Sequence, residues 1–249
     1  MAGRDLMAPR GKRVASYSSH NSNISAGEEQ DRPIRRGPIA PQTKWAVACD
    51  FDGTVTTKDI AEEILRKYTG DAWLSIEKEY REGKIGSREA LSRQFALVRA
   101  SKDDIISCAL KSATVRRGFK SFVDSCRKTG IPFVILSEGL DFYIEPVLTK
   151  AGVDAKFEAN SAAFAGDRIS IIFRDSEKKS PNTGVRKEAR VIAFQKQGRK
   201  VLYIGDGYSD MDAAKHADVL LARGALLKKC GGIPFTDFYQ AKKVLEGLR

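Results

Sequence analysis

Two aspartates one residue apart follow an apolar run of strand length. The run is Trp45–Cys49, the acids are Asp50 and Asp52, and Gly53 comes next. Side chains alternate along a strand, so an extended Asp-x-Asp directs both carboxylates to the same side. Carboxylates that close together raise one another's pKa unless a cation or a shared proton lies between them. That cost at the end of a buried strand favours phosphoryl-transfer catalysis, in which one acid attacks, a divalent metal screens charge and the other acid transfers a proton.

A simpler interpretation of the same segment stays open. Asp-x-Asp-Gly also occurs in Asx turns and in calcium-binding loops. A helix-loop-helix calcium site requires further acids at two-residue steps, and Val55, Thr56 and Thr57 do not supply them. The alternative that competes with catalysis is therefore an ordinary turn.

Composition narrows the class of protein. The 249 residues are 42% hydrophobic and 30% charged, as in soluble globular proteins, and no apolar run approaches the roughly 18 residues of a membrane span. Four cysteines without a Cys-x-x-Cys pair argue against a zinc ribbon or disulfide scaffold and favour a reducing, cytoplasmic setting. The net charge of +11 is compatible with nucleic-acid binding. Its dispersed basic residues, without interleaved aromatic residues, favour attraction of a small anionic substrate instead.

The first 43 residues differ in composition from the rest. They are poor in large apolar residues and rich in Arg, Ser, Gly and Pro, which predicts a disordered basic extension over residues 1–43. The extension lacks the apolar core of a secretory signal. Its arginines and serines suit an organelle transit peptide, but Glu28, Glu29 and Asp31 weaken that interpretation. Organelle targeting stays open beside a cytoplasmic location.

The remaining chain predicts an α/β protein. Apolar residues recur at helical spacing from about residue 59 to 111, which indicates an all-helical insert after the first strand. Strands and helices then alternate, which indicates a parallel sheet covered on both faces. We therefore expect a catalytic core of residues 44–57 and 115–249 and a helical cap of residues 58–114. The elements predicted after the insert are helix 118–128, strand 132–136, helix 142–150, hairpin 162–165 and 169–173, helix 185–197, strand 201–204, helix 210–215, strand 219–222 and helix 238–248.

Polar residues follow three of the predicted strands. Beside the first acidic pair, Ser137 follows the strand at 132–136, and Asp206 follows the strand at 201–204. Ligands of an open parallel sheet bind at the carboxyl ends of its strands. Asp210 adds a fourth acid, although it also suits the N-cap of its helix. Asp50, Asp52 and Asp206 together make an oxygen-rich cluster suited to magnesium.

These motifs, in this order, resemble the four motifs of the haloacid-dehalogenase superfamily of aspartate-nucleophile phosphatases. Asp50–Thr56 resembles the first motif, Ser137 the second, Lys187 the third, and Asp206 with Asp210 the fourth. The helical insert resembles the small cap of the phosphoserine-phosphatase-like branch. The resemblance implies a Rossmann-like, doubly wound parallel sheet with a small all-helical cap inserted after the first strand.

The resemblance also implies a phosphoric monoester hydrolase with a phosphoaspartate intermediate. Asp50 is then the nucleophile and Asp52 the general acid and base. Magnesium is held by the Asp50 carboxylate, the Asp52 backbone carbonyl and Asp206, while Asp210 orients Lys187 or ligates the metal through water. Phosphate-binding groups implied by the resemblance are Thr54, Ser137, the Gly139 backbone N–H and Lys187. Lys178 and Lys179 stay open as rivals of Lys187.

The substrate is expected to be a small phosphorylated metabolite. Stretches such as Arg116–Phe119 and Asp237–Tyr239 resemble the phosphatases of methionine salvage, which act on 2-hydroxy-3-keto-5-methylthiopentenyl-1-phosphate. Phosphoserine or another small phosphoester is the alternative. The branch that acts on phosphoserine uses a cap arginine for the substrate carboxylate, where this chain has Gln94 beside Arg93. Other classes left open are a nucleic-acid-associated protein using the basic extension, which we consider the lesser case, and a scaffold without catalysis.

Specificity should depend on the cap. Asp59 is a candidate to meet an amino or hydroxyl group of the substrate, and Gln94 is a second candidate. Glu62, Trp73 and Phe95 are further candidates. Trp73 and Phe95 recur at helical spacing, which favours a place in the core of the cap instead.

Overall fold

A seven-stranded sheet organises the part of the chain that the computed structural model describes, residues 43–248. The predicted extension lies outside these residues except for Thr43. The strand order is β4-β3-β2-β1-β5-β6-β7, and only β4 runs antiparallel to its neighbour. The α/β prediction is therefore confirmed. The strands are β1 (Trp45–Cys49), β2 (Phe133–Leu140), β3 (Phe157–Ala165), β4 (Arg168–Ile172), β5 (Lys200–Gly205), β6 (Val219–Ala222) and β7 (Ile233–Pro234).

Helices fill the connections between these strands. Four of them lie between β1 and the helix at Phe119–Lys128, in the region where the sequence predicts a cap. A 3₁₀ turn at Tyr208–Asp210 precedes α8. The helices are α1 (Ile60–Thr69), α2 (Leu74–Arg81), α3 (Ser87–Phe95), α4 (Lys102–Ser112), α5 (Phe119–Lys128), α6 (Asp141–Lys150), α7 (Lys187–Lys196), α8 (Met211–His216), α9 (Gly224–Cys230) and α10 (Phe238–Gly247). Within residues 43–248, no helix combines the length and apolar character that crossing a bilayer requires.

The first strand lies at the centre of the sheet and brings the polar strand ends together. All five residues of β1 are buried, as its apolar sequence predicts. Cys49 is in register with Ile135 of β2 and Ile204 of β5. Asp50 therefore leaves the sheet between the strand that carries Ser137 and the strand that precedes Asp206.

The first and last residues of the insert lie next to each other in the structure. Thr56 and Val115 form an antiparallel bridge. The Thr57 N–H donates to the Thr114 carbonyl at 2.9 Å, and the Arg116 N–H donates to the Val55 carbonyl at 2.8 Å. Helices α1 to α4 lie between these two crossing segments. The described residues belong to one compact unit, so a cap of residues 58–114 distinct from the core stays a prediction.

Helix α3 of the insert contacts the segment between β4 and α7. Arg88 donates from its guanidinium to the carbonyls of Asp175 at 2.5 Å, Ser180 at 3.1 Å and Thr183 at 3.2 Å. Its backbone N–H donates to the Asn182 carbonyl at 3.1 Å. This contact ties the insert to the segment that leads into Lys187.

Three local features differ from the predicted elements. Strand β2 does not end before Ser137 but continues to Leu140, with a register shift against β3 after Leu136. Helix α6, in contrast, agrees with the predicted helix 142–150 although proline disfavours a helix interior, because five buried apolar side chains stabilise it by packing around Pro146. Helix α9 and strand β7 were not predicted, since one is seven residues long and the other two.

Candidate active site

A buried lysine joins the first and fourth motifs. Lys187 is the first residue of α7 and is 1% exposed. Its ammonium donates to Asp50 Oδ1 at 2.6 Å, to Asp210 Oδ1 at 2.7 Å and to the Ser209 hydroxyl at 3.1 Å. Burial alone would lower the pKa of Lys187, but the two carboxylates raise it above its ordinary value. The lysine therefore stays charged at the end of β1.

The rivals of Lys187 lie elsewhere. Lys178 and Lys179 are exposed residues of the segment between β4 and α7, and the side chain that reaches Asp50 is that of Lys187.

The Asp210 carboxylate is surrounded by donors. It is completely buried. Oδ1 accepts from Lys187 at 2.7 Å and from the Tyr203 hydroxyl at 2.6 Å, while Oδ2 accepts from the N–H groups of Asp206 and Gly207, both at 3.0 Å. With both oxygens occupied twice, Asp210 suits a supporting role better than direct metal ligation.

Asp52 accepts from one donor at the start of α1 and from a second donor in α6. Its Oδ1 accepts from the Ile60 N–H at 2.9 Å, and its Oδ2 accepts from the Tyr143 hydroxyl at 3.0 Å. Burial raises the pKa of Asp52 to about 6, although both hydrogen bonds oppose the rise. A carboxyl group with this pKa exchanges its proton readily near neutral pH, as a general acid and base must.

The Ser137 hydroxyl is joined to the Gly139 backbone within β2. Ser137 is 1% exposed, and its Oγ accepts from the Gly139 N–H at 2.9 Å. A Cβ on Gly139 would lie 2.1 Å from the Tyr143 hydroxyl and 2.7 Å from Asp52 Oδ2. Only glycine fits here, so the second motif approaches the first without an intervening side chain.

Asp206 faces Asp50 across the site. Carboxylate oxygens of Asp50, Asp206 and Asp210 lie within 4.8 Å of one another. Burial, and next Asp210, raise the pKa of Asp206 to about 7. Burial also raises the pKa of Asp50, with Asp210 and Asp206 adding to the rise and Lys187 opposing it. Such mutual repulsion is relieved by a cation, so these carboxylates fit a divalent metal.

Thr54 lies next to Asp206 of this cluster. Its hydroxyl donates to Asp206 Oδ1 at 3.2 Å. A Cβ on Gly53, which has a φ of 75°, would lie 2.3 Å from Asp206 Oδ2. The predicted phosphate contact of Thr54 stays a prediction, because in this arrangement its hydroxyl is used by Asp206.

One cavity of about 600 Å³ connects these groups to the insert. Residues of the predicted site that line it are Asp50, Asp52, Asp59, Gln94, Ser137, Gly139 and Asp206. Asp59 also caps α1, accepting from the Glu62 N–H at 2.9 Å. Phe95 does not line the cavity and is buried in the core, whereas Trp73 is both buried and part of the wall.

Charges of the insert wall are paired with one another. Gln94 Nε2 donates to Glu77 at 3.0 Å. Arg81 donates to the same Glu77 at 2.7 Å and to Glu62 at 3.1 Å. The wall also contains the apolar side chains of Leu65, Trp73, Ala90 and Leu91. This side of the cavity therefore offers an apolar surface and acids in excess of its arginine.

Sequence reasoning missed four residues that hold the site in place. Tyr143 and Tyr203 bind the acids already described. Arg116 donates to the carbonyls of three residues of the first motif, Gly53, Thr54 and Thr56, at 2.7, 2.8 and 3.1 Å. Glu138 lines the cavity next to Ser137. The proximity of Arg116 to the first motif follows from the closed insert, whereas a tyrosine in a helix carries no sequence signal of its partner.

Comparison with known proteins agrees with this geometry. A family model described as haloacid dehalogenase-like hydrolase matches residues 47–215. The 2-hydroxy-3-keto-5-methylthiopentenyl-1-phosphate phosphatase of Lysinibacillus sphaericus is 32% identical over 217 residues, which cover 82% of this chain and 95% of that protein. The protein of the same name from Brevibacillus brevis is 32% identical over 215 residues, covering 83% and 97%. The phosphoserine phosphatase of T. onnurineus superimposes with a TM-score of 0.64 at 22% identity, covering 86% of this chain and 100% of that one, which shows a common fold.

The chain belongs to the haloacid dehalogenase-like hydrolase family. Within that family its relatives are phosphatases, so the predicted enzyme class, a phosphoric monoester hydrolase, is confirmed as well.

Proposed function

We propose that this phosphatase hydrolyses 2-hydroxy-3-keto-5-methylthiopentenyl-1-phosphate through a phosphoaspartate intermediate, in the cytoplasm and with magnesium. The observation that carries the proposal is the buried contact of Lys187 with Asp50, whose carboxylate lines one cavity together with Asp52, Ser137 and Asp206. A charged lysine beside a strand-end carboxylate is an arrangement that binds a phosphoryl group where it is attacked.

Each acid has its own role in this mechanism. Asp50 attacks phosphorus and forms the phosphoaspartate, while protonated Asp52 gives its proton to the leaving oxygen. Asp52 then takes a proton from the water that hydrolyses the intermediate, which restores the enzyme and releases phosphate. Lys187, the Ser137 hydroxyl and the Gly139 N–H hold phosphoryl oxygens, where charge accumulates in the transition state.

Asp50, Asp206 and the Asp52 carbonyl would hold the magnesium ion. Its double charge, when bound, screens the repulsion between the nucleophile and an anionic phosphoryl group. The raised pKa values of Asp50 and Asp206 support this assignment, since both carboxylates must ionise to act and a cation favours the ionised forms. The negative charges of Asp50 and Asp206 repel each other in the metal-free site, and the same charges would bind the ion.

The insert wall supports the methylthio substrate over phosphoserine. A substrate carboxylate at this wall would meet Gln94, already bound to Glu77, and Arg81, already bound to Glu77 and Glu62. An uncharged tail with an apolar methylthio end instead matches Leu65 and the other apolar side chains of the wall. Burying a carboxylate against this wall, which offers no unpaired cation, costs several kcal/mol. The other cationic residues that line the cavity, Arg223, Lys228 and Lys229, lie outside the insert.

The activity is tested by phosphate release from a panel of esters, with and without magnesium. The panel contains the methylthio enol-phosphate, phosphoserine and p-nitrophenyl phosphate. Asp50→Asn is expected to abolish turnover, and the matched control Asp103→Asn, an exposed acid of α4, is expected to retain it. Substantial turnover by Asp50→Asn would refute the nucleophile assignment. A preference of the wild type for phosphoserine would refute the substrate assignment alone.

A further inference from the structure

Glu138 joins two segments that carry phosphate-binding side chains. It lies between Ser137 and Gly139 in β2, and the sequence analysis predicts no role for it. Its carboxylate accepts from the N–H of Gly184 at 3.1 Å and from the N–H of Val185 at 3.4 Å. Both donors belong to the segment that ends where α7 begins. One side chain of β2 therefore holds the backbone that leads to Lys187.

Asn160 of β3 braces the same contact. It is completely buried, donates from Nδ2 to the Glu138 carbonyl at 2.7 Å, and accepts at Oδ1 from the Arg174 N–H at 3.2 Å. A Cβ on Gly184 would lie 2.6 Å from Asn160 Oδ1. The segment that contains Gly184 therefore packs closely against Asn160 of β3. This contact opposes movement of the segment toward the sheet, and the hydrogen bonds to Glu138 oppose movement away from it.

Lys187 follows two residues after Val185, which Glu138 contacts. Its backbone N–H donates to the Val185 carbonyl at 3.0 Å, and its side chain spans the distance to Asp50. Because Ser137 is covalently adjacent to Glu138, the carboxylate links the backbone before α7 to the residue that carries the Ser137 hydroxyl.

We propose that Glu138 is a positioning residue that sets the spacing of Ser137 and Lys187 around the phosphoryl group. This inference rests on the proposed function, in which both side chains hold phosphoryl oxygens. A carboxylate offers acceptors at both oxygens, as two N–H donors require. Glutamine in its place would direct an NH₂ group toward one of those donors.

The experiment compares Glu138→Gln, Glu138→Asp and the matched control Glu145→Gln, which removes the same charge from an exposed position of α6. Measured quantities are kcat and KM for p-nitrophenyl phosphate with magnesium, the inhibition constant of inorganic phosphate, and the thermal midpoint. Glu138→Gln is expected to lower kcat and to weaken phosphate inhibition, each about tenfold, because small displacements of positioned groups have large effects on rate. Glu138→Asp keeps both acceptors and should recover part of the loss, and Glu145→Gln should match the wild type.

Three results would overturn the inference. The first is a Glu138→Gln enzyme with wild-type kcat and phosphate inhibition. The second is a loss of turnover with unchanged phosphate inhibition, which would place the effect outside the phosphate-binding groups. The third, if Glu138→Gln does not fold, is a folded Glu138→Asp enzyme no different from the Glu145→Gln control. A wild type that neither turns over an ester nor binds phosphate would instead refute the proposed function.

Discussion

Replacing Asp210 by asparagine tests the buried network directly. Asparagine has the same shape, but one oxygen becomes an NH₂ group. Because Lys187 and Tyr203 donate to Oδ1 while the N–H groups of Asp206 and Gly207 donate to Oδ2, the NH₂ group meets two donors in either orientation. Two buried hydrogen bonds are lost and the charge pair with Lys187 is broken. Changes of this kind cost about 3–5 kcal/mol.

The free energy of unfolding should be measured by urea denaturation in the presence of a chelator, so that metal binding does not contribute. The matched control is Asp212→Asn, two residues further along. Asp212 also pairs with a lysine, Lys215 at 2.7 Å, but its side chain is 66% exposed. Exposed pairs contribute about 0.2–1 kcal/mol. Equal destabilisation by the two variants would refute the conclusion that burial makes the Asp210 network strong.

Three further outcomes follow from the site. Burial raises the pKa of Asp206 from 3.8 to about 7 in the folded protein, so the folded state binds more protons than the unfolded state in this range. The stability of the metal-free protein should therefore fall as the pH rises through it. An unchanged thermal midpoint between about pH 5 and about pH 8 would contradict this prediction. Tyr143→Phe removes a hydrogen bond that favours the ionised form of Asp52, so the pKa of Asp52 should rise. The decline of kcat/KM at high pH should then begin about one pH unit higher. An unchanged pH–rate profile would contradict a role of this hydrogen bond in setting that pKa. Arg116→Lys retains the charge but not three carbonyl contacts, and should lower kcat about tenfold while Arg117→Lys, an exposed neighbour, leaves it unchanged.

The centre of the fold could be predicted from sequence because its signals are local. An apolar strand followed by Asp50 and Asp52 is recognisable without knowledge of any partner. The position of Ser137 was correctly expected near these acids, but the end of its strand was not. Strand β2 runs past Ser137 because Leu140 pairs with Asn160 of β3 after a register shift, and that pairing joins residues far apart in sequence.

The remaining parts of the site depend on contacts that sequence does not express. Lys187 was predicted from motif order alone, with neighbouring lysines left open, because burial beside Asp50 distinguishes it only in three dimensions. Glu138 was passed over between two motif residues, since its donors lie 46 and 47 residues further along the chain. Contacts between residues so far apart in sequence leave no local pattern from which they could be predicted.

Arg88 has a consequence for altering the protein by design. Its hydrogen bonds to the segment all end on backbone carbonyls, which every residue has, and its guanidinium also lies 4.2 Å from the centre of the Phe173 ring. The contact therefore depends on the path of the backbone and on one aromatic side chain. The exposed positions Glu177, Lys178 and Lys179 are suited to carry a fluorescent label, which would report on motion of the segment that leads to Lys187.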